Sequence, residues 1–153
     1  MDVVFYQLLH APLERALPLL LEKTLERSWR AVVQAASDER VAMLDTALWT
    51  YRDDSFLAHG AAGSGNGADQ PVYLTTGDEN PNAAHVRFFV DGLDMSPFLQ
   101  ASPEGYERAV LMFDGADSDQ LTQARAQWKQ LKDTGFALQY WQQKENGGWE
   151  KRG

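Results

Sequence analysis

Three cations and a tryptophan fall within eight residues of the stretch "ARAQWKQLKDTG", 124–135: Arg125, Trp128, Lys129 and Lys132. On a helix, Arg125, Lys129 and Lys132 stand at i, i+4 and i+7 and form one basic ridge. Leu121, Ala124, Trp128 and Leu131 run beside it as an apolar stripe, which makes Trp128 the seam between core and ridge. An indole floor rimmed by cations suits an acidic peptide, above all one ending in a carboxylate. A guanidinium grips such a carboxylate through two parallel hydrogen bonds. The plainer reading of the same residues is a solvated flank whose lysines complement the helix dipole.

The rest of the composition narrows the chemistry. Twenty-two Asp and Glu oppose 14 Lys and Arg, a net charge of −8 over 153 residues. That balance argues against broad nucleic-acid binding, which depends on cations neutralising phosphates, but it leaves room for one local basic patch. The chain has no cysteine, so disulfide and thiolate chemistry are excluded, in keeping with a reducing cytoplasm. The three histidines, His10, His59 and His85, have no metal-ligand spacing among them. No G-x-S-x-G elbow surrounds any serine. Gly63, Gly65 and Ala68 formally spell G-x-G-x-x-A, but a dinucleotide fingerprint needs a strand before it and a helix after it. Here a helix and a polar segment precede and a strand follows. No catalytic residue, cofactor or metal is therefore expected. The opening "MDVVFYQLL" reads as a strand rather than a secretory signal, and apolar runs such as "ALPLLL" are too short to span a membrane.

A second unusual stretch is "LDTALWTYRDDSFLAHG", 44–60. Leu44, Leu48 and Tyr51 share a helical face, while Trp49 is turned about 100° from Leu48. Trp49 and Phe56 are thus candidates for a surface that a protein partner covers, against ordinary packing as the plainer alternative.

The elements that must position these residues follow from periodicity. "VVFYQLL", 3–9, is a first buried strand, and apolar residues at helical spacing give a helix over about 12–28. A strand at 30–36 and a helix capped by Ser37 come next. Strand, helix, strand, helix in succession indicates a parallel sheet with crossover helices. The glycine-rich 58–71 reads as a surface loop. Strands are expected at 72–76, 84–92 and 107–115, with room for a short helical turn between the last two. Asp117 or Ser118 caps a helix over 118–134, Gly135 ends it, and 136–143 alternates like a final strand. The expectation is a single α/β domain over 1–143 and a flexible tail over 144–153.

"VVFYQLL", "LDTALWTYRDDSFLAHG" and "ARAQWKQLKDTGFALQYW" together resemble the chi subunit of bacterial DNA polymerase III holoenzyme. The family pattern L-D-x-A-L-W, then S-F and H, is met in order by Leu44, Asp45, Ala47, Leu48, Trp49, Ser55, Phe56 and His59. The resemblance implies a three-layer αβα domain with a mostly parallel sheet, a nucleotide-binding-like fold without a nucleotide site. It implies a non-catalytic accessory subunit in the cytoplasm, which touches DNA only indirectly. Its partners would be the psi subunit, which tethers it to the clamp loader, and the acidic C-terminal tail of single-stranded-DNA-binding protein. The family's tail pocket corresponds here to Arg125, Trp128, Lys129 and Lys132, with tryptophan where the family commonly has tyrosine. The psi contact corresponds to Trp49 and Phe56. Two other functions fit the same elements without the resemblance. A nucleotide-binding enzyme of doubly wound fold would use the crevice at the strand ends, and a direct single-stranded-DNA binder would stack bases on Trp128.

Overall fold

The computed structural model describes residues 1–51, 58–63, 67–101 and 103–153. Its centre is one eight-stranded sheet in the order β3-β4-β2-β5-β6-β1-β7-β8. The strands are β1 (Asp2–Leu8), β2 (Ala31–Gln34), β3 (Gly60–Ala61), β4 (Val72–Thr75), β5 (Val86–Phe89), β6 (Arg108–Asp114), β7 (Ala137–Gln143) and β8 (Trp149–Lys151). Every neighbouring pair is parallel except β7 with β8, which closes one edge antiparallel.

Among the described residues four helices cover the sheet: α1 (Leu13–Glu26), α2 (Asp38–Thr50), α3 (Ser96–Gln100) and α4 (Ser118–Leu131). Strand side chains alternate between faces, and the core divides accordingly. Val4 and Leu8 of β1 join Leu17 and Leu21 of α1 and Leu44 and Leu48 of α2 in one cluster. Val3 and Phe5 of the same strand join Leu99 of α3 and Ala124 and Leu131 of α4 in the other. This is the expected three-layer α/β arrangement, with α1 and α2 on one side and α3 and α4 on the other. β6 is sealed on both faces, as its unbroken apolar run "AVLMF" predicts.

Local signals account for the element ends. The Ser37 side chain accepts from the Arg40 amide at 3.1 Å and starts α2. Arg40 stands where a capping-box glutamate would, and its side chain turns away to Asp91 (2.8 Å) and Glu14 (2.5 Å). It thereby ties α1 and α2 to the loop after β5. Asp117 caps α4 by accepting from the Asp119 and Gln120 amides, both at 3.0 Å.

Two expectations need correction. The stretch 58–71 is not loop throughout, because Gly60 and Ala61 pair with Tyr73 and Leu74 as a short edge strand. Residues 144–153 are not a loose tail either. The Gly147 amide donates to the Lys144 carbonyl (2.9 Å) and the Lys144 amide to the Gly148 carbonyl (2.8 Å), forming a tight reversal. Gly147 sits at φ 84°, the left-handed position that such a hairpin assigns to glycine. Trp149, Glu150 and Lys151 then pair with Gln143, Gln142 and Trp141, and the Trp149 ring meets Tyr6 edge-on at 4.8 Å.

Candidate functional site

α4 carries the basic ridge, and its orientation is fixed from below. Ala124 and Leu131 enter the core as expected. So does Gln127, which an apolar pattern does not reveal. Its Oε1 accepts from the Met95 amide at 2.9 Å and its Nε2 donates to the Leu93 carbonyl at 3.0 Å. Those bonds satisfy a buried amide and lock α4 to the segment before α3. Trp128 follows, half-buried, and packs edge-to-face against Phe5 (5.3 Å between centroids, 86°) and Tyr140 (5.4 Å, 86°).

Above that aromatic floor lies a cavity of about 260 Å³ lined by Arg125, Trp128, Tyr140 and Arg152. The Tyr140 hydroxyl donates to Gln7 Oε1 at 2.5 Å, which fixes the ring. Burial pushes the Tyr140 phenol above its ordinary range, and the Arg125 charge only partly pulls it back. The ring therefore stays neutral near pH 7 and adds no repulsion against an incoming anion. A pocket with an aromatic floor and two arginines among its lining residues can seat an apolar side chain while pairing a carboxylate.

Of the residues singled out from the sequence, Arg125 and Trp128 meet on this cavity. Lys129 and Lys132 are exposed on the same helix but stand outside its lining. Tyr140 and Arg152 also line it, and no sequence pattern points to them. Tyr140 lay in a segment read as a strand, and Arg152 in one read as a tail. The Asn146-Gly147 pair between "YWQQ" and "WEK" was the available hairpin signal.

The second surface is on α2, across the sheet from α4. Trp49 is 51% exposed and Met43 56%. The Trp49 ring rests on the His59 ring with 4.4 Å between centroids. His59 is buried, and its Nε2 lies 2.9 Å from Asp45 Oδ1. Asp45 thus pairs with His59, against which the Trp49 ring lies. Phe56, the other residue assigned to this surface, lies outside the described residues.

Residues 1–139 match the family described as "DNA polymerase III chi subunit, HolC". The chain belongs to that family. A curated chi relative, "Probable DNA polymerase III subunit chi" of Rickettsia prowazekii (strain Madrid E), is 28% identical over 102 residues. That alignment takes in 65% of this chain and spans 62% of the relative's length. The family's name is that of a subunit of DNA polymerase III.

In this chi-family chain the crevice at the carboxyl ends of the strands is already engaged. A cavity of about 340 Å³ there is lined by residues that include Leu9, His10, Ala11, Glu14, Arg40 and Asp91. The turn after β1 is where a doubly wound fold ordinarily holds phosphate on backbone amides. Here the amides of Leu9, His10 and Ala11 all donate to Gln143 Oε1, at 3.0, 2.9 and 3.0 Å. Arg40, the cation nearest to hand, is held between Glu14 and Asp91. Among the described residues no group of three or more His, Asp or Glu is placed to hold a metal. No described helix is long and apolar enough to cross a membrane.

Proposed function

We propose that this chain is a non-catalytic adaptor of the DNA polymerase III holoenzyme, working in the cytoplasm. On this reading it holds the acidic C-terminal tail of single-stranded-DNA-binding protein in the Arg125–Trp128 pocket. The psi subunit docks on the Trp49 surface, to which Phe56 is assigned by the family pattern, and tethers the chain to the clamp loader. The observation that carries the reading is the convergence of Arg125 and Trp128 on one cavity with an aromatic floor. A chain of net charge −8 would repel DNA phosphates over most of its surface, while one basic pocket attracts an acidic tail. DNA is then reached only through its coat protein.

Titration of the purified chain with the tail peptide tests this directly. Arg125→Ala should weaken binding by about 1.5–3 kcal/mol, roughly 10- to 150-fold, because a charge-assisted contact is lost. Unchanged affinity in that variant would refute the pocket assignment. No observation favours the nucleotide-binding reading, since the phosphate-seat amides are bonded to Gln143. A nucleotide that raised the melting temperature would reverse this.

A further inference from the structure

A second set of cations gathers on the other layer of the sheet from α4, where α1 ends. Lys23 and Arg27, Trp29 just before β2, Arg108 at the start of β6 and Tyr6 of β1 line one cavity of about 60 Å³. Liquid water allots about 30 Å³ to a molecule, so this space suits one small oxyanion and no ring. The guanidinium carbons of Arg27 and Arg108 lie 5.2 and 5.5 Å from the Trp29 ring centroid, contacts by which an indole attracts cations. Both charges also act on the Tyr6 phenol. Burial raises it above its ordinary range, and Arg108 and then Arg27 pull it partly back. The phenol is therefore a neutral hydroxyl near pH 7 that lies within the field of both arginines.

The chain has 22 acidic residues that could pair with these cations, yet among the described ones only Asp2 approaches. Its Oδ2 stands 3.9 Å from the Arg108 guanidinium, beyond hydrogen-bonding distance, although the Arg108 side chain is only 24% exposed. Arg108 Nε is buried and meets no acceptor among the described residues. Nor does a described carboxylate come within ion-pairing distance of Lys23 or Arg27. The dipole at the end of α1 accounts for Lys23 and Arg27, but Arg108 belongs to a strand. A buried donor without an acceptor is costly, and an oxyanion beside it relieves the cost. We propose that Arg27, Arg108 and the Tyr6 hydroxyl form a seat for a phosphate dianion, either free orthophosphate or the phosphoryl group of a monoester. A carboxylate would offset one of the two arginine charges. A phosphoryl group carries about −1.5 to −2 near pH 7 and offers three acceptor oxygens to the guanidinium forks and the phenol. Lys23, exposed beside them, adds attraction. The seat lies at the amino ends of β2 and β6, apart from the strand-end crevice and the α4 pocket, and does not depend on the tail-binding reading.

The test is a calorimetric titration of the full chain with inorganic phosphate and with acetate at constant ionic strength, beside melting curves. Wild type should bind phosphate at least about 10-fold more tightly than acetate. Arg27→Ala and Arg108→Ala should each weaken phosphate about 10-fold, and Arg108→Lys about 3-fold, since lysine lacks the planar fork. Tyr6→Phe, which removes only the hydroxyl, should weaken it about 3-fold. Arg125→Ala should bind phosphate as wild type does, which separates this seat from the α4 pocket. Glycerol 1-phosphate distinguishes the sources: binding as tight as orthophosphate supports a seat open to phosphoryl groups on larger molecules, and weaker binding supports one for free phosphate. Arg27 is exposed, so Arg27→Ala should melt with wild type and decides the matter if Arg108→Ala fails to fold. No phosphate binding by wild type, unchanged phosphate affinity in Arg27→Ala, or acetate bound as tightly as phosphate would overturn the seat.

Discussion

The α4 pocket and the α2 surface both centre on a tryptophan, yet the two rings are set in opposite ways. Trp128 is half-buried, wedged against Phe5 and Tyr140, and offers only part of its ring to a cavity rimmed by arginines. Trp49 stands half out of the protein on a buried histidine, with exposed Met43 on the same helix. The first is a cavity with charge at its mouth and the second an apolar projection. A cavity of that kind suits the end of an acidic peptide, whereas a projecting ring needs a partner with a pocket of its own. The two lie on opposite layers of one sheet.

The largest expected effect separates the two rings. Trp128→Ala should cost about 2–4 kcal/mol of folding stability, because a partly buried indole and its aromatic contacts are lost. Trp49→Ala should cost well under 1 kcal/mol, as a half-exposed side chain contributes little to the core. Chemical denaturation of the two variants measures this, and equal losses would erase the contrast. Next in size, Trp49→Ala should weaken psi by at least about 2 kcal/mol, roughly 30-fold, as expected of a central anchor. Retained psi affinity would remove that assignment.

Salt sharpens the comparison further. Tail binding should weaken several-fold as salt rises from about 0.1 M to 1 M, where the screening length falls from about 10 Å to about 3 Å. Psi binding through an apolar ring should scarcely change over the same range. Salt-insensitive tail binding would contradict a charge-rimmed pocket. The smallest effect belongs to Lys129→Ala and Lys132→Ala. Each should weaken the tail only about 2- to 3-fold, since they line no part of the cavity and act as point charges at a distance.

Much of this was legible in the sequence, and what escaped has a physical cause. Sheet and helices follow from periodicity because burial on one or both faces writes itself into every second or every third and fourth residue. Arg125 and Trp128 are near neighbours on one helix, so their meeting on the cavity was also within reach. Arg152 and Tyr140 were not, because strand pairing brings them to α4 from segments distant in sequence. Gln127 fell out for a different reason: a buried amide interrupts the apolar stripe that marks a core face, and only the carbonyl and amide it serves explain it. Gln143 escaped likewise, as nothing in "YWQQ" announces a side chain that occupies three backbone amides in the turn after β1. The β8 hairpin does carry a local signal, Asn146-Gly147.

Two separate docking surfaces should respond independently to mutation, and one crossed experiment tests this most directly. Wild type, Arg125→Ala and Trp49→Ala are each titrated with the tail peptide and with psi. Arg125→Ala is expected to lose the tail roughly 10- to 150-fold and keep psi, while Trp49→Ala loses psi and keeps the tail at full affinity. Loss of both partners in either variant, or of neither in Arg125→Ala, would contradict it.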